Sequence, residues 1–93
     1  MTRRFYLFVR TSMTPAAASQ VALAIMRRHY RRWHFNEDLL RRVCLGDGAV
    51  HLVSNEVSMA ELREANGGVL VEWHSAGHAV RDALFDALPA ALA

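Results

Sequence analysis

The side chains of this chain best suited to chemistry near neutral pH are its imidazoles. There are five, His29, His34, His51, His74 and His78. His51 and His74 sit in apolar runs that read as neighbouring strands, with Glu72 near the second. Either can serve as a general base in a small dimeric α/β enzyme. Neither is spaced from a nucleophile or an acidic partner in a pattern that names a catalytic set, so no catalytic residue is assigned. His74 and His78 are four apart, which on one helix is metal-ligand spacing. Gly77 interrupts them and His74 reads as strand. A metal site needs at least three convergent ligands, so neither metal nor cofactor is expected. Cys44, the sole cysteine, lies in the apolar run Val43-Cys44-Leu45 and reads as a buried, inert thiol. The pairs Glu37/Asp38 and Glu61/Glu64 read as helix-start and surface carboxylates.

The strongest departure from the needs of folding is Arg27-Arg28-His29-Tyr30-Arg31-Arg32-Trp33. It gathers four of the eleven basic residues, all of them arginine, into less than two helical turns. Guanidinium forks suit carboxylates and phosphates. Arg27, Arg28, Arg31 and Arg32 are therefore candidate contacts to an acidic protein surface or to nucleic acid, with Tyr30 or Trp33 able to stack on a base. The spacing Leu23, Met26, Tyr30, Trp33 instead places both aromatics on an apolar stripe facing the core. Basic residues near a helix C-terminus also complement its dipole.

Composition sets the frame for these sites. The chain has 93 residues, 53% of them hydrophobic, and a net charge of +2 with neutral histidines. That is one domain, 1–93, with enough apolar material for a core and too little charge for a global pull on nucleic acid. One cysteine allows no internal disulfide, which fits a cytoplasmic location. The N-terminal residues start like a signal peptide, but Arg10 interrupts the apolar run. No stretch reaches the ~18 uninterrupted apolar residues of a membrane span, so no membrane partner is expected.

Periodicity and punctuation give the elements. Phe5 to Val9 is apolar on both faces and reads as a central strand. Thr14-Pro15 starts a helix that runs to about Trp33. Residues 37–45 read as a strand, with a short helix as the alternative. Gly46-Asp47-Gly48 turns it into a second strand, Ala49 to Val53. Ser58-Met59-Ala60-Glu61 has capping-box form and predicts a short helix to about Ala65, stopped by Asn66-Gly67-Gly68. Val69 to His74 reads as a strand. A last helix covers about His78 to Leu88, with Pro89 at its frayed end. On it Val80, Ala83, Leu84, Ala87 and Ala91 form one stripe, and Phe85, Leu88 and Leu92 a second. The chain ends without an element to cover the second stripe, which makes Phe85, Leu88 and Leu92 candidate contacts to a partner.

The expected fold class is α+β, a ferredoxin-like βαββαβ arrangement with an additional C-terminal helix. The alternative is a small three-stranded α/β fold. The stretch His51-Leu52-Val53-Ser54, the capped helix and then Leu70-Val71-Glu72-Trp73 resembles part of the nucleotide-monophosphate-binding half of guanylate-kinase-like kinases. The loop Arg10-Thr11-Ser12-Met13-Thr14-Pro15 lacks the glycine and lysine of a phosphate cradle, and no site is carried over from that resemblance. The functional expectation is a small non-enzymatic protein-interaction domain, an adaptor, inhibitor or subunit. It would form a homo-oligomer or dock on a larger protein through its last helix and the arginine face. RNA or DNA binding through the arginines is the alternative, and an enzyme using His51 or His74 a further one.

Overall fold

The computed structural model describes residues 3–93; Met1 and Thr2, which open the signal-like start, lie outside the described residues. The chain is α+β. Five strands, β1 (Phe5–Arg10), β2 (Leu40–Cys44), β3 (Val50–Ser54), β4 (Val57–Ala65) and β5 (Gly68–Trp73), are joined by helix α1 (Pro15–Arg32) and followed by helix α2 (His78–Ala91). The sheet order is β1-β5-β4-β3-β2, antiparallel at every step. Strands β2 to β5 form a continuous meander, and α1 crosses from β1 at one edge to β2 at the other. Helix α1 packs on β2, β3, β4 and α2, while α2 packs on β1 and α1. Both helices therefore cover one face of the sheet and leave the other open.

This topology corrects the ferredoxin-like expectation. That arrangement needs a helix between its third and fourth strands, and residues 58–65 are strand instead. The capping pattern there is worth about 1 kcal/mol. Against it stand two ladders, to β3 and to β5, and complete burial of Ala60 and Leu62. Burying the leucine alone is worth ~1.5–3 kcal/mol, so the strand wins. The turn that makes this possible, Asn55-Glu56, holds both residues left-handed, at φ 49° and 66°, as a type I′ hairpin requires. Asn66-Gly67-Gly68, expected to stop a helix, turns the β4–β5 hairpin, with Gly67 at φ 83°. Without the capped helix, the likeness to guanylate-kinase-like kinases loses its middle element.

Helix α1 follows the sequence closely. Thr14 caps it, its Oγ1 accepting from the Ala17 amide at 3.1 Å, and Pro15 opens it. It ends where His34 turns left-handed at φ 59° and the Phe35 amide donates to the Tyr30 carbonyl at 2.8 Å. Leu23 and Met26 are buried and Tyr30 is half-buried, but Trp33 is 58% exposed. The helical spacing that places it in the core stops one residue too soon. Leu40–Cys44 supply strand β2, within the 37–45 stretch that the hairpin reading expects, preceded by a 3-10 turn at Glu37–Leu39.

Two edge effects follow. Strand β1 lies at the sheet's edge, with Phe5, Leu7 and Val9 toward the helices and Tyr6 and Phe8 exposed on the open face. Cys44 closes the other edge strand and is exposed rather than buried. Helix α2 also departs from its expected pattern. Its core side is Val80, Leu84 and Leu88, continued by Leu92, a ridge of residues four apart; Leu88 is fully buried and Leu92 is 2% exposed. Phe85 is half-buried against the same cluster. The second apolar stripe is thus part of the domain's own core, which withdraws Leu88 and Leu92 as contacts to a partner. Pro89 does not end the helix, which continues to Ala91 and is tied down by Thr11 donating to the Leu92 carbonyl at 2.9 Å.

Candidate functional site

The open face of the sheet carries a chain of five polar side chains across β3, β4 and the end of β5. Arg63 donates to Glu61 Oε1. The other oxygen of Glu61 lies 3.2 Å from His51 Nε2. His51 Nδ1 lies 2.6 Å from Ser58 Oγ, and His74 Nε2 lies 2.9 Å from the same hydroxyl. His51, Ser58, Glu61 and His74 are all half-buried.

A β-bulge assembles this row. On β4, Ser58 and Glu61 are three residues apart, which in a regular strand puts them on opposite faces. The register shifts by one residue between Leu52 and Val53, so Ala60 faces Leu52 while Ser58 faces Val53. Met59 is the inserted residue. It turns toward the helices, where its sulfur accepts from the Tyr30 hydroxyl at 3.7 Å. The bulge thereby returns Ser58 to the face that carries His51 and Glu61, a re-aiming for which such irregularities are used.

One arrangement of protons satisfies every contact in the row. In it Glu61, bonded to Arg63, accepts from His51 Nε2–H, which leaves His51 Nδ1 as an acceptor. Ser58 then donates its hydroxyl hydrogen to Nδ1, and its oxygen accepts from His74 Nε2–H. The order is carboxylate, imidazole, hydroxyl, which can withdraw a proton from an attacking oxygen. Glu72, directly across from Glu61, takes no part in it. It pairs with Arg4 at 3.1 Å and accepts from the Tyr6 hydroxyl at 3.4 Å. Each of the two facing carboxylates is thus balanced by its own arginine.

Sequence reasoning finds His51 and His74 but misses Ser58, taken as a helix cap, and Glu61, taken as a surface carboxylate. The available signal was the Ser54-Asn55-Glu56-Val57 turn, which makes 57–65 a strand next to His51. His78 is elsewhere. Its ring meets Phe5 edge-on at 6.1 Å, and Arg81 lies 3.8 Å over the same phenyl. Among the described residues no group of three or more His, Cys, Asp or Glu side chains is placed to hold a metal ion.

A second cluster lies at the C-terminal end of α1. Arg27, Arg28, Arg31 and Arg32 are exposed. Arg31 pairs with Glu37 at 2.7 Å, and Arg32 lies 6.0 Å from the Trp33 ring centre. Trp33 and Phe35 are exposed beside them. Between α1 and α2, Ile25, Arg28, His29, Arg32, Ala83 and Ala87 line a cavity of about 280 Å³. It has an apolar floor and a basic rim. Among the described residues no helix is long and apolar enough to cross a membrane. Comparison of the chain with protein families, with curated proteins and with solved structures finds no match.

Proposed function

We propose that the chain is a protein-interaction domain that docks an acidic partner surface at the end of α1. The observation that carries this reading is Trp33, 58% exposed and set among four exposed arginines. Tryptophan and arginine are the residues most enriched at the energetic centres of protein interfaces. The neighbouring cavity, with arginines at its rim, supplies a recess for one anchoring side chain. The last helix contributes Ala83 and Ala87 to that recess rather than a docking stripe of its own. A carboxylate-bearing partner suits the site because Arg27 and Arg28 have no carboxylate within ion-pair distance among the described residues.

Trp33 also gives the test a built-in probe, because the other tryptophan, Trp73, is fully buried. Partner protein captured from the native host with the wild-type chain is purified and titrated while Trp33 fluorescence is followed. The expected result is saturable, stoichiometric binding that is lost when Arg27, Arg28, Arg31 and Arg32 are all changed to Gln. Saturation instead by a single-stranded oligonucleotide, with a steep salt dependence, would assign the patch to nucleic acid. Binding that survives the fourfold replacement would remove the patch from the interface.

A further inference from the structure

We propose that Ser58 is an activated nucleophile, and that the open face of the sheet forms acyl–enzyme adducts with activated carboxylic esters. This goes beyond docking at the end of α1 and rests on different residues, on the side of the sheet away from both helices. A serine hydroxyl is a weak nucleophile unless a base takes its proton as it attacks. Here His51 Nδ1 stands 2.6 Å from Ser58 Oγ, and Glu61 holds the far side of the ring at 3.2 Å. His51 is the base. Glu61 is a positioning residue, since it keeps the proton on Nε2 and favours the imidazolium that forms. Arg63 fixes Glu61 in turn. The bulge that carries Met59 into the core also carries Ser58 to the imidazole.

The step balances without an oxidant or reductant. Ser58 Oγ attacks the ester carbonyl carbon, and its proton passes to His51 Nδ1. The bond from carbon to the leaving oxygen breaks, and the departing alcohol takes the proton from His51. Water, deprotonated by the same ring, then attacks the Ser58 ester. It releases a carboxylic acid and restores the hydroxyl.

The test uses the whole chain with Cys44 changed to Ser, because that exposed thiol would compete for the probe. The protein is incubated with p-nitrophenyl acetate or an alkyl fluorophosphonate, and adducts are located by peptide mass mapping. Ser12 is also exposed and serves as an internal standard. Modification of Ser58 is expected at least about 100-fold faster than of Ser12, and His51→Gln is expected to slow it by at least about 100-fold, the usual yield of a positioned base. Glu61→Ala should slow it less and shift the His51 ring nitrogens toward the Nδ1–H tautomer in 15N spectra. Equal rates at Ser58 and Ser12 in the unaltered histidine background overturn the proposal, whatever the variants do. So does a folded His51→Gln chain that labels at the parent rate.

Discussion

Leu88 separates two accounts of the last helix. If it belonged to a docking stripe, its truncation would leave the isolated domain as stable as before and weaken only association. In the fold it is fully buried within the large apolar cluster of the described residues. Changing it to alanine removes three carbon atoms from a site that the helix on one side and the sheet on the other prevent from collapsing. Such replacements cost about 3 kcal/mol, with a range of about 2–5. For 93 residues the unfolding entropy near the midpoint is about 0.2 kcal/mol/K, so the melting temperature should fall by roughly 15 °C. Phe85→Ala, at a half-buried position on the same helix, should cost no more than about half of that. Thermal unfolding followed by circular dichroism at two protein concentrations reads both. A Leu88→Ala variant that melts within about 2 °C of the parent, or a drop that vanishes on dilution, would refute the placement of Leu88 in the core.

Gly68→Ala should also destabilise, because a Cβ there would collide with the Val9 carbonyl oxygen on the paired strand. β1 must then back away from β5, a strain of about 1–3 kcal/mol readable as a lower urea midpoint. Replacing Arg27, Arg28, Arg31 and Arg32 with Gln should lower the melting temperature by no more than about 10 °C, since exposed substitutions cost less than about 0.5 kcal/mol each. The Glu56 carboxyl, bonded by Arg41 at 3.0 and 2.5 Å, titrates below the usual glutamate range. Its contribution is present above the ordinary carboxylate range and is lost as pH falls through that lowered value. A carbon-detected NMR titration should give the lowered midpoint in the parent and an ordinary one in Arg41→Gln. Cys44 should react with Ellman's reagent in the folded chain without a preceding unfolding step, because it is exposed.

Local signals were readable where the physics is local. Thr14-Pro15 and the apolar periodicity after it place α1, and Gly46-Asp47-Gly48 places the β2–β3 hairpin. Reading fails where a long-range partner decides. Ser58-Met59-Ala60-Glu61 satisfies the local rule for a helix start, and only the two flanking strands make it β4. The Met59 bulge also breaks the alternation that would have announced a strand. Glu56 adds to the disguise by standing left-handed where a glycine would be the expected signal. Losing β4 as a strand hides the site as well, since Ser58 and Glu61 meet His51 only through it. The α2 ridge misleads for another reason. A spacing of four drifts slowly round a helix, so Leu88 and Leu92 look offset from Val80 in projection yet are buried as it is, in the same core cluster.

The position of β1 sets an order of assembly. The meander from β2 to β5 is joined by short turns and can form from local contacts. β1 pairs with β5, whose register joins Phe5 to Trp73 and Arg10 to Gly68, so it waits for the whole meander before it has a partner. Until β5 is in place, β1 stays unpaired. It carries five aromatic or aliphatic side chains in a row, Phe5, Tyr6, Leu7, Phe8 and Val9, the composition that seeds intermolecular pairing. Arg4 and Arg10 flank that segment as charged gatekeepers, with Arg3 just ahead of them. The native β1–β5 ladder should accordingly be the last to gain and the first to lose protection in hydrogen exchange. Removing the gatekeepers should lower the yield of soluble protein more than it lowers the stability of the protein once folded.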